Sequence, residues 1–233
     1  MDSESSLLEE RQQRLASLRS EVAACRRCAI GYTRTQAVCG VGSPRSPLVI
    51  VGEGPGENED RQGEPFVGRA GELLNKMLAA IDLRREDVYI TNTIKSRATV
   101  EENGRVFNRA PTPDEMANCR EYLDRELAII EPRIILALGA PAAKSFLGRD
   151  FSITRQRGIW YAGPGGADLM VTFHPAYVLR LTGGNINAVK RLVWSDLLAV
   201  RHKLDEVTAQ RGAKDAQMPA SAPEPDALSF DFR

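Results

Sequence analysis

The chain has 233 residues, the size of one medium domain with tails. Its 31 basic and 31 acidic residues balance, so net charge supplies no general attraction to a polyanion, and any such contact needs a local basic patch. No apolar run approaches the ~20 residues of a membrane span, and the first residues lack the basic-then-apolar layout of a secretory signal. A cytoplasmic chain with no membrane partner, and a monomer, is the expectation.

Leu7, Leu8, Leu15, Leu18 and Val22 recur at helical spacing and predict an amphipathic helix over residues 5–24. It leads into Cys25-Arg-Arg-Cys28. One tight turn of this kind aims two thiols at one point and suits a metal or iron–sulfur centre, a redox pair, or no special role. Cys39 and Cys119 complete the cysteines, and in a reducing compartment structural disulfides are not expected. Residues 29–47 read as irregular. Leu48-Val49-Ile50-Val51 is a buried strand, followed by a loop rich in glycine and acid: Gly52, Glu53, Gly54, Gly56, Glu57, Glu59, Asp60, Gly63 and Gly68, with Phe66 between glycines. A helix is predicted from about Arg69. Val88–Thr91 is a second strand ending on Asn92. A polar loop without apolar periodicity then runs from about Lys95 to Pro113. Thr112-Pro113-Asp114-Glu115 carries the marks of a helix start, and that helix is expected to run to about Ile130. Strands at 133–138 and 169–173 and helices at 140–147 and about 187–204 complete the pattern. Composition then shifts to Ala, Pro, Gln and Asp, so the folded domain is expected over 1–207 and a disordered tail over 208–233.

Alternating strands and helices imply a parallel sheet covered on both faces. Ligands of such sheets bind beyond the carboxyl ends of the strands. Those ends carry Glu53, Asn92 and His174, and Phe66 lies nearby. An Asn amide offers donor and acceptor side by side, matching a pyrimidine edge. A Phe ring gives a planar base a surface to stack on. A His donates to an oxygen that gains charge. Each also has an ordinary reading: Asn92 as a turn cap, Phe66 as core, His174 as a structural residue, and Glu59 and Asp60 as solvated charges.

Gly52-Glu53-Gly54-Pro55-Gly56, Glu59-Asp60 and residues 63–71 (GEPFVGRAG) resemble the first motif of the family-4 uracil-DNA glycosylases, which are iron–sulfur enzymes. His174-Pro-Ala-Tyr-Val-Leu-Arg180 resembles their second motif. Thr91-Asn92, Lys95 and residues 108–115 also match, so the resemblance covers roughly Ala24 to Leu204. It implies a three-layer α/β/α sandwich with a central four-stranded parallel sheet. Uracil would be flipped from single- or double-stranded DNA into the site and its N-glycosidic bond hydrolysed to leave an abasic site, the first step of base excision repair. Phe66 would stack on the base, Asn92 would read its edge, and His174 would stabilise the departing anion. Glu53 or Glu59 would handle the water, since the better-known uracil glycosylases carry an Asp where this chain has Gly54. Gly54, Gly56, Asn108 and Arg180 complete the expected binding set. Tyr177 to Leu179 would form an apolar wedge beside the Arg180 cation, and the amides at 54–56 and at Gly139-Ala140 would hold phosphates. A nucleoid-associated prokaryotic protein fits this role.

The resemblance also implies a [4Fe–4S] cluster on four cysteines. Cys25, Cys28 and Cys119 match, but the remaining position is Ser96, which leaves Ser96 or Cys39 as fourth ligand. The loop at 96–111 has the length seen in a branch that becomes covalently trapped on the abasic sugar. Ala110 stands where that branch has its nucleophilic His, so turnover rather than trapping is expected. The competing reading is a module that binds uracil or abasic DNA and releases no base. A phosphate-loop protein is disfavoured, because neither a GKS/T ending nor GxGxxG spacing is present. Leu228, Phe230 and Phe232, at the end of the tail, are expected to dock a sliding clamp.

Overall fold

The computed structural model describes residues 3–183 and 185–217. In chain order the elements are α1 (Ser3–Ala24), α2 (Ile30–Thr33), β1 (Val41–Gly42), β2 (Leu48–Gly52), α3 (Glu57–Gln62), α4 (Arg69–Ala79), β3 (Tyr89–Asn92), β4 (Thr99–Glu102), β5 (Arg105–Asn108), α5 (Pro113–Ile130), β6 (Ile134–Leu138), α6 (Ala140–Leu147), α7 (Ile153–Gln156), β7 (Trp160–Ala162), β8 (Asp168–Thr172), α8 (Pro175–Arg180) and α9 (Asn185–Gln217).

The main sheet runs β1-β3-β2-β6-β8-β7. Its centre is the expected parallel quartet β3-β2-β6-β8. Two short antiparallel edge strands, β1 and β7, widen it to six. The period-2 alternation of each central strand feeds two separate cores. Leu48 and Ile50 of β2, Leu136 of β6 and Met170 of β8 pack with Leu74 and Leu78 of α4 and Leu197 and Val200 of α9. Val49, Val51, Ile135, Ala137, Leu169 and Val171 pack on the other face with Leu123 and Leu127 of α5 and Ala142 of α6, and Leu15 and Leu18 of α1 join that cluster. The strands are therefore apolar on both faces, which is why they read as unbroken apolar runs.

From β2 the chain crosses to β3 on one side, then returns over β2 to reach β6 on the other. The carboxyl end of β2 is thus the point where the winding reverses, the place where open α/β sheets form their crevice. The 53–68 loop springs from that point. α5 is started by a capping box: Thr112 Oγ1 accepts from the Glu115 amide at 3.2 Å, and Glu115 accepts from the Thr112 amide at 2.8 Å. The closing helix continues to Gln217, past the domain boundary expected at 207. The remainder of the expected tail, with Leu228, Phe230 and Phe232, lies outside the described residues. The stretch read as an unstructured polar loop contains a hairpin, β4–β5.

A buried ion pair locks α5 to the end of β3. Lys95 Nζ donates to Glu126 Oε2 at 2.6 Å, to Thr91 Oγ1 at 2.7 Å and to the Asn92 carbonyl at 2.8 Å. Glu126 Oε1 accepts from the Gly40 amide at 2.9 Å. Both side chains are almost fully out of water. Breaking such a pair by removing one partner costs about 3–5 kcal/mol, because the other charge stays buried alone. Lys95→Ala or Glu126→Ala is expected to lower unfolding free energy by that amount in urea titration. Lys95→Met with Glu126→Leu should lose less than the two single losses added together.

Candidate active site

All nine non-metal site residues expected from the sequence line one cavity of about 800 Å³ at the carboxyl ends of the strands. Asn92 comes from β3, Glu53 from the end of β2, Phe66 from the loop before α4 and His174 from the end of β8. Asn108 comes from the hairpin and Arg180 from α8.

Close backbone approach assembles the centre. A Cβ on Gly52 would lie 2.4 Å from Asn92 Oδ1 and 2.6 Å from Phe66 Cζ, so glycine here lets the amide and the ring meet. Phe66 is buried and holds a left-handed backbone conformation (φ 55°). A non-glycine residue in that region is held against its intrinsic preference by its surroundings. Gly54 lies against Ile94, with a Cβ at 54 falling 2.6 Å from Ile94 Cγ1. These two glycines therefore make room for protein side chains, where the sequence reading gave the loop glycines to DNA.

The acid-rich loop uses its acids as internal acceptors. Glu59 Oε1 accepts from the amides of Val67 and Gly68, both at 2.9 Å, and Oε2 accepts from the Gly56 amide at 3.1 Å. This fastens both ends of the loop and commits the Gly56 amide, which was expected to face phosphate. Asp60 is buried, against its reading as a solvated charge, and accepts from the Thr35 amide at 3.0 Å. Glu53 is the remaining carboxylate of the β2 end, half-buried in the cavity wall, and burial raises its pKa.

His174 is set by its own helix start. Its Nδ1 accepts from the Ala176 amide at 3.0 Å, so the neutral ring carries its proton on Nε2. Burial, reinforced by the Arg180 cation and opposed by Glu59, lowers its pKa to about 4. The imidazole lies 5.6 Å from the Phe66 ring, with the two planes 25° apart. The imidazole therefore runs roughly parallel to the ring on which a flat ligand would stack, and Nε2 is its remaining donor in the cavity. A second buried carboxylate fixes this strand end. Asp196 of α9 accepts from Thr172 Oγ1 at 2.6 Å and from Arg157 Nε at 2.8 Å. Asp196 and Glu126 were missed in the sequence because each looks like a polar position on an amphipathic helix.

On the rim, Tyr177 and Leu179 are exposed while Val178 is buried in the core, so the expected wedge reduces to the first two with Arg180 beside them. Asn108 Oδ1 accepts from Arg97 Nε at 2.6 Å.

The cysteines divide. Cys119 is buried with Ile30, Ile94 and Ala98, and Cys28 packs against that cluster. Burial raises the Cys119 thiol, opposed by the Lys95 backbone and cation and reinforced by Cys28 and Cys25. Burial also acts to raise Cys25, but a hydrogen bond with Tyr122 and the Arg27 cation outweigh it and hold the thiol low. Cys39 packs, like Cys25, against the core cluster of α1 and α5, and burial and Glu126 push its thiol up to about 11 against the opposing charges of Lys95, Arg19 and Arg34. Ser96 is engaged by Arg34, whose Nη1 donates to Ser96 Oγ at 2.8 Å while Nη2 donates to the carbonyls of Val22, Ala23 and Cys25. Among the described residues, no three His, Cys, Asp or Glu side chains converge as a metal site.

The sequence model described as the uracil DNA glycosylase superfamily matches residues 39–198. The chain is 42% identical over 188 residues to a type-4 uracil-DNA glycosylase of Thermotoga maritima, spanning 80% of this chain and 93% of that one. It is 44% identical over 166 residues to one of Archaeoglobus fulgidus (68% and 80%) and 42% identical over 173 residues to one of Sulfurisphaera tokodaii (71% and 76%). With matches of this extent laid over a cavity built from the same motifs, the chain belongs to the uracil-DNA glycosylase superfamily.

Proposed function

We propose that the protein excises uracil from DNA by hydrolysing the N-glycosidic bond. The observation that carries this reading is the placement of His174, whose Nδ1 is held by the Ala176 amide, leaving Nε2 as its donor, and whose ring lies 5.6 Å from Phe66 in the same cavity as Asn92. A uracil turned out of the DNA would lie on Phe66, with the Asn92 amide against its edge. As the bond from the sugar C1′ to the base N1 breaks, its electron pair moves onto the base and gathers on O2. The Nε2–H donor stabilises that charge in place. An imidazole that is already neutral keeps a donor without drawing a full positive charge into the cavity. Glu53 would orient water toward the oxocarbenium-like C1′ and accept its proton, while Glu59 keeps the loop in shape. With no imidazole at Ala110 to attack the sugar, the reading remains turnover rather than trapping. A binding module without chemistry would have no need of a half-buried carboxylate and a fixed imidazole donor in one cavity.

Cys25, Cys28 and Cys119 would hold an iron–sulfur cluster through three thiolates. Its contribution would be structural, fastening the segment after α1 to α5. Ser96, engaged by Arg34, would stay outside the ligand set. Ser96→Ala is then expected to leave iron per chain and the visible thiolate–iron absorbance unchanged, whereas Cys119→Ser lowers both. Iron lost with Ser96→Ala would make Ser96 a ligand, and an iron-free wild type would remove the cluster altogether.

Release of uracil from a labelled oligonucleotide, followed by alkaline cleavage at the abasic site, tests the excision. His174→Ala should slow single-turnover release on the order of 10²–10³-fold, the cost of one donor to a developing anion. Undiminished activity would overturn the role of His174. The wild-type rate should show no inflection near the ordinary imidazole value of about 6.5. It should fall toward acid pH as Glu53, whose pKa burial raises, takes up a proton. Stability follows the opposite partner of the same linkage. Between about 6.5 and 4 the unfolded chain binds a proton that folded His174 refuses, so the contribution of His174 is full above that window and lost as pH falls through it.

A further inference from the structure

The β4–β5 hairpin pairs only with itself among the described residues. Its tip, Asn103-Gly104, has left-handed backbone at both residues (φ 52° and 72°), the two-residue turn whose twist matches that of the strands. Its root is fixed. The Arg109 amide donates to the Ala98 carbonyl and Arg109 Nε to the Thr99 carbonyl, each at 3.0 Å, and the Arg109 guanidinium grips Glu115 on α5 at 2.6 Å. That root, including Ala98, Asn108 and Arg109, lines the cavity. The arm is thus a preformed projection from the rim.

Its surface is unusual for such an arm. Val100, Val106 and Phe107 are 37%, 54% and 47% exposed. Val100 sits opposite Phe107 in the register, so the two share one face. Val106 is on the other face with Asn108, about 7 Å farther from the root by strand rise. No core requires these apolar groups. The arm's charges are Glu101 and Glu102 against Arg105, a combination unsuited to gripping phosphates. Apolar and aromatic surface without basic excess suits the face of a base, and that face is open only where the base is unpaired.

We propose that this hairpin is a binding arm for unpaired DNA beside the turned-out nucleotide, with Phe107 and Val100 as the platform on which a neighbouring base stacks. The inference rests on the cavity being the uracil site, with which the arm is continuous. It makes the hairpin a determinant of strand preference, acting on the nucleotides next to the uracil and not on the uracil itself.

The test is fluorescence anisotropy of the whole protein with an oligonucleotide bearing a stable abasic analogue, single-stranded or in duplex. Phe107→Ala is expected to weaken single-strand binding roughly tenfold and duplex binding by less than about twofold, while Phe107→Trp keeps the single-strand affinity. Equal losses on both forms, or none on either, would overturn the proposal. An unchanged thermal unfolding midpoint confirms that the variants are folded, as expected for an exposed position. Uracil release by the wild type is scored separately. If it is absent while the strand-selective loss persists, the excision reading fails and what stands is the arm's contact with unpaired DNA, without the uracil beside it.

Discussion

The site depends on a charge that has been taken out of water. Lys95 reaches back under the strand it follows and, through Glu126, joins the carboxyl end of β3 to α5 on one face of the sheet. Every donor of its ammonium is used, and Glu126 in turn holds the Gly40 amide. Such a pair adds little net stability over apolar packing, but it accepts few alternative arrangements. What it fixes is the position of Asn92. Asp196 does the corresponding work from α9 on the opposite face, where it holds Thr172, two residues before His174. The two residues expected to touch the edge of the base are thus set by buried carboxylates from opposite layers of the sandwich, and their separation follows from the sheet between them.

Between those fixed points the glycine-rich loop must fold without regular structure over most of its length. Its backbone amides still need acceptors. Glu59 takes three of them, and Asp60 bonds to the segment at Thr35 that follows α2. The abundance of acid, which looked excessive for a ligand loop, is therefore largely the loop's own scaffolding. Glu53 meets the cavity from the end of β2 and takes no loop amide, and burial there raises its pKa.

Sequence reading recovered the parallel quartet because its strands are buried on both faces and so stand out as apolar runs. Asn92, Phe66 and His174 were legible because strand ends and a recognisable motif mark them. The edge strands β1 and β7 are two and three residues long, too short for any periodicity. The hairpin was hidden for a different reason. It has no core face, so polar and apolar residues do not alternate along it, and only Asn103-Gly104 signalled a turn. Glu126, Asp196 and Arg34 were illegible because a buried charge and a surface charge are the same letter. Their partners lie 31, 24 and 62 residues away.

The contact between Gly54 and Ile94 has a consequence for how such sites diverge. A carboxylate at position 54, the arrangement of the better-known uracil glycosylases, would displace Ile94, since the first carbon of any side chain would lie 2.6 Å from its Cγ1. Ile94 is itself buried beside Cys119 in the small cluster under the cysteine region. Moving the carboxylate along the motif therefore requires the packing beneath it to change first. A side chain at 54 and the residue at 94 are thus tied together by one contact.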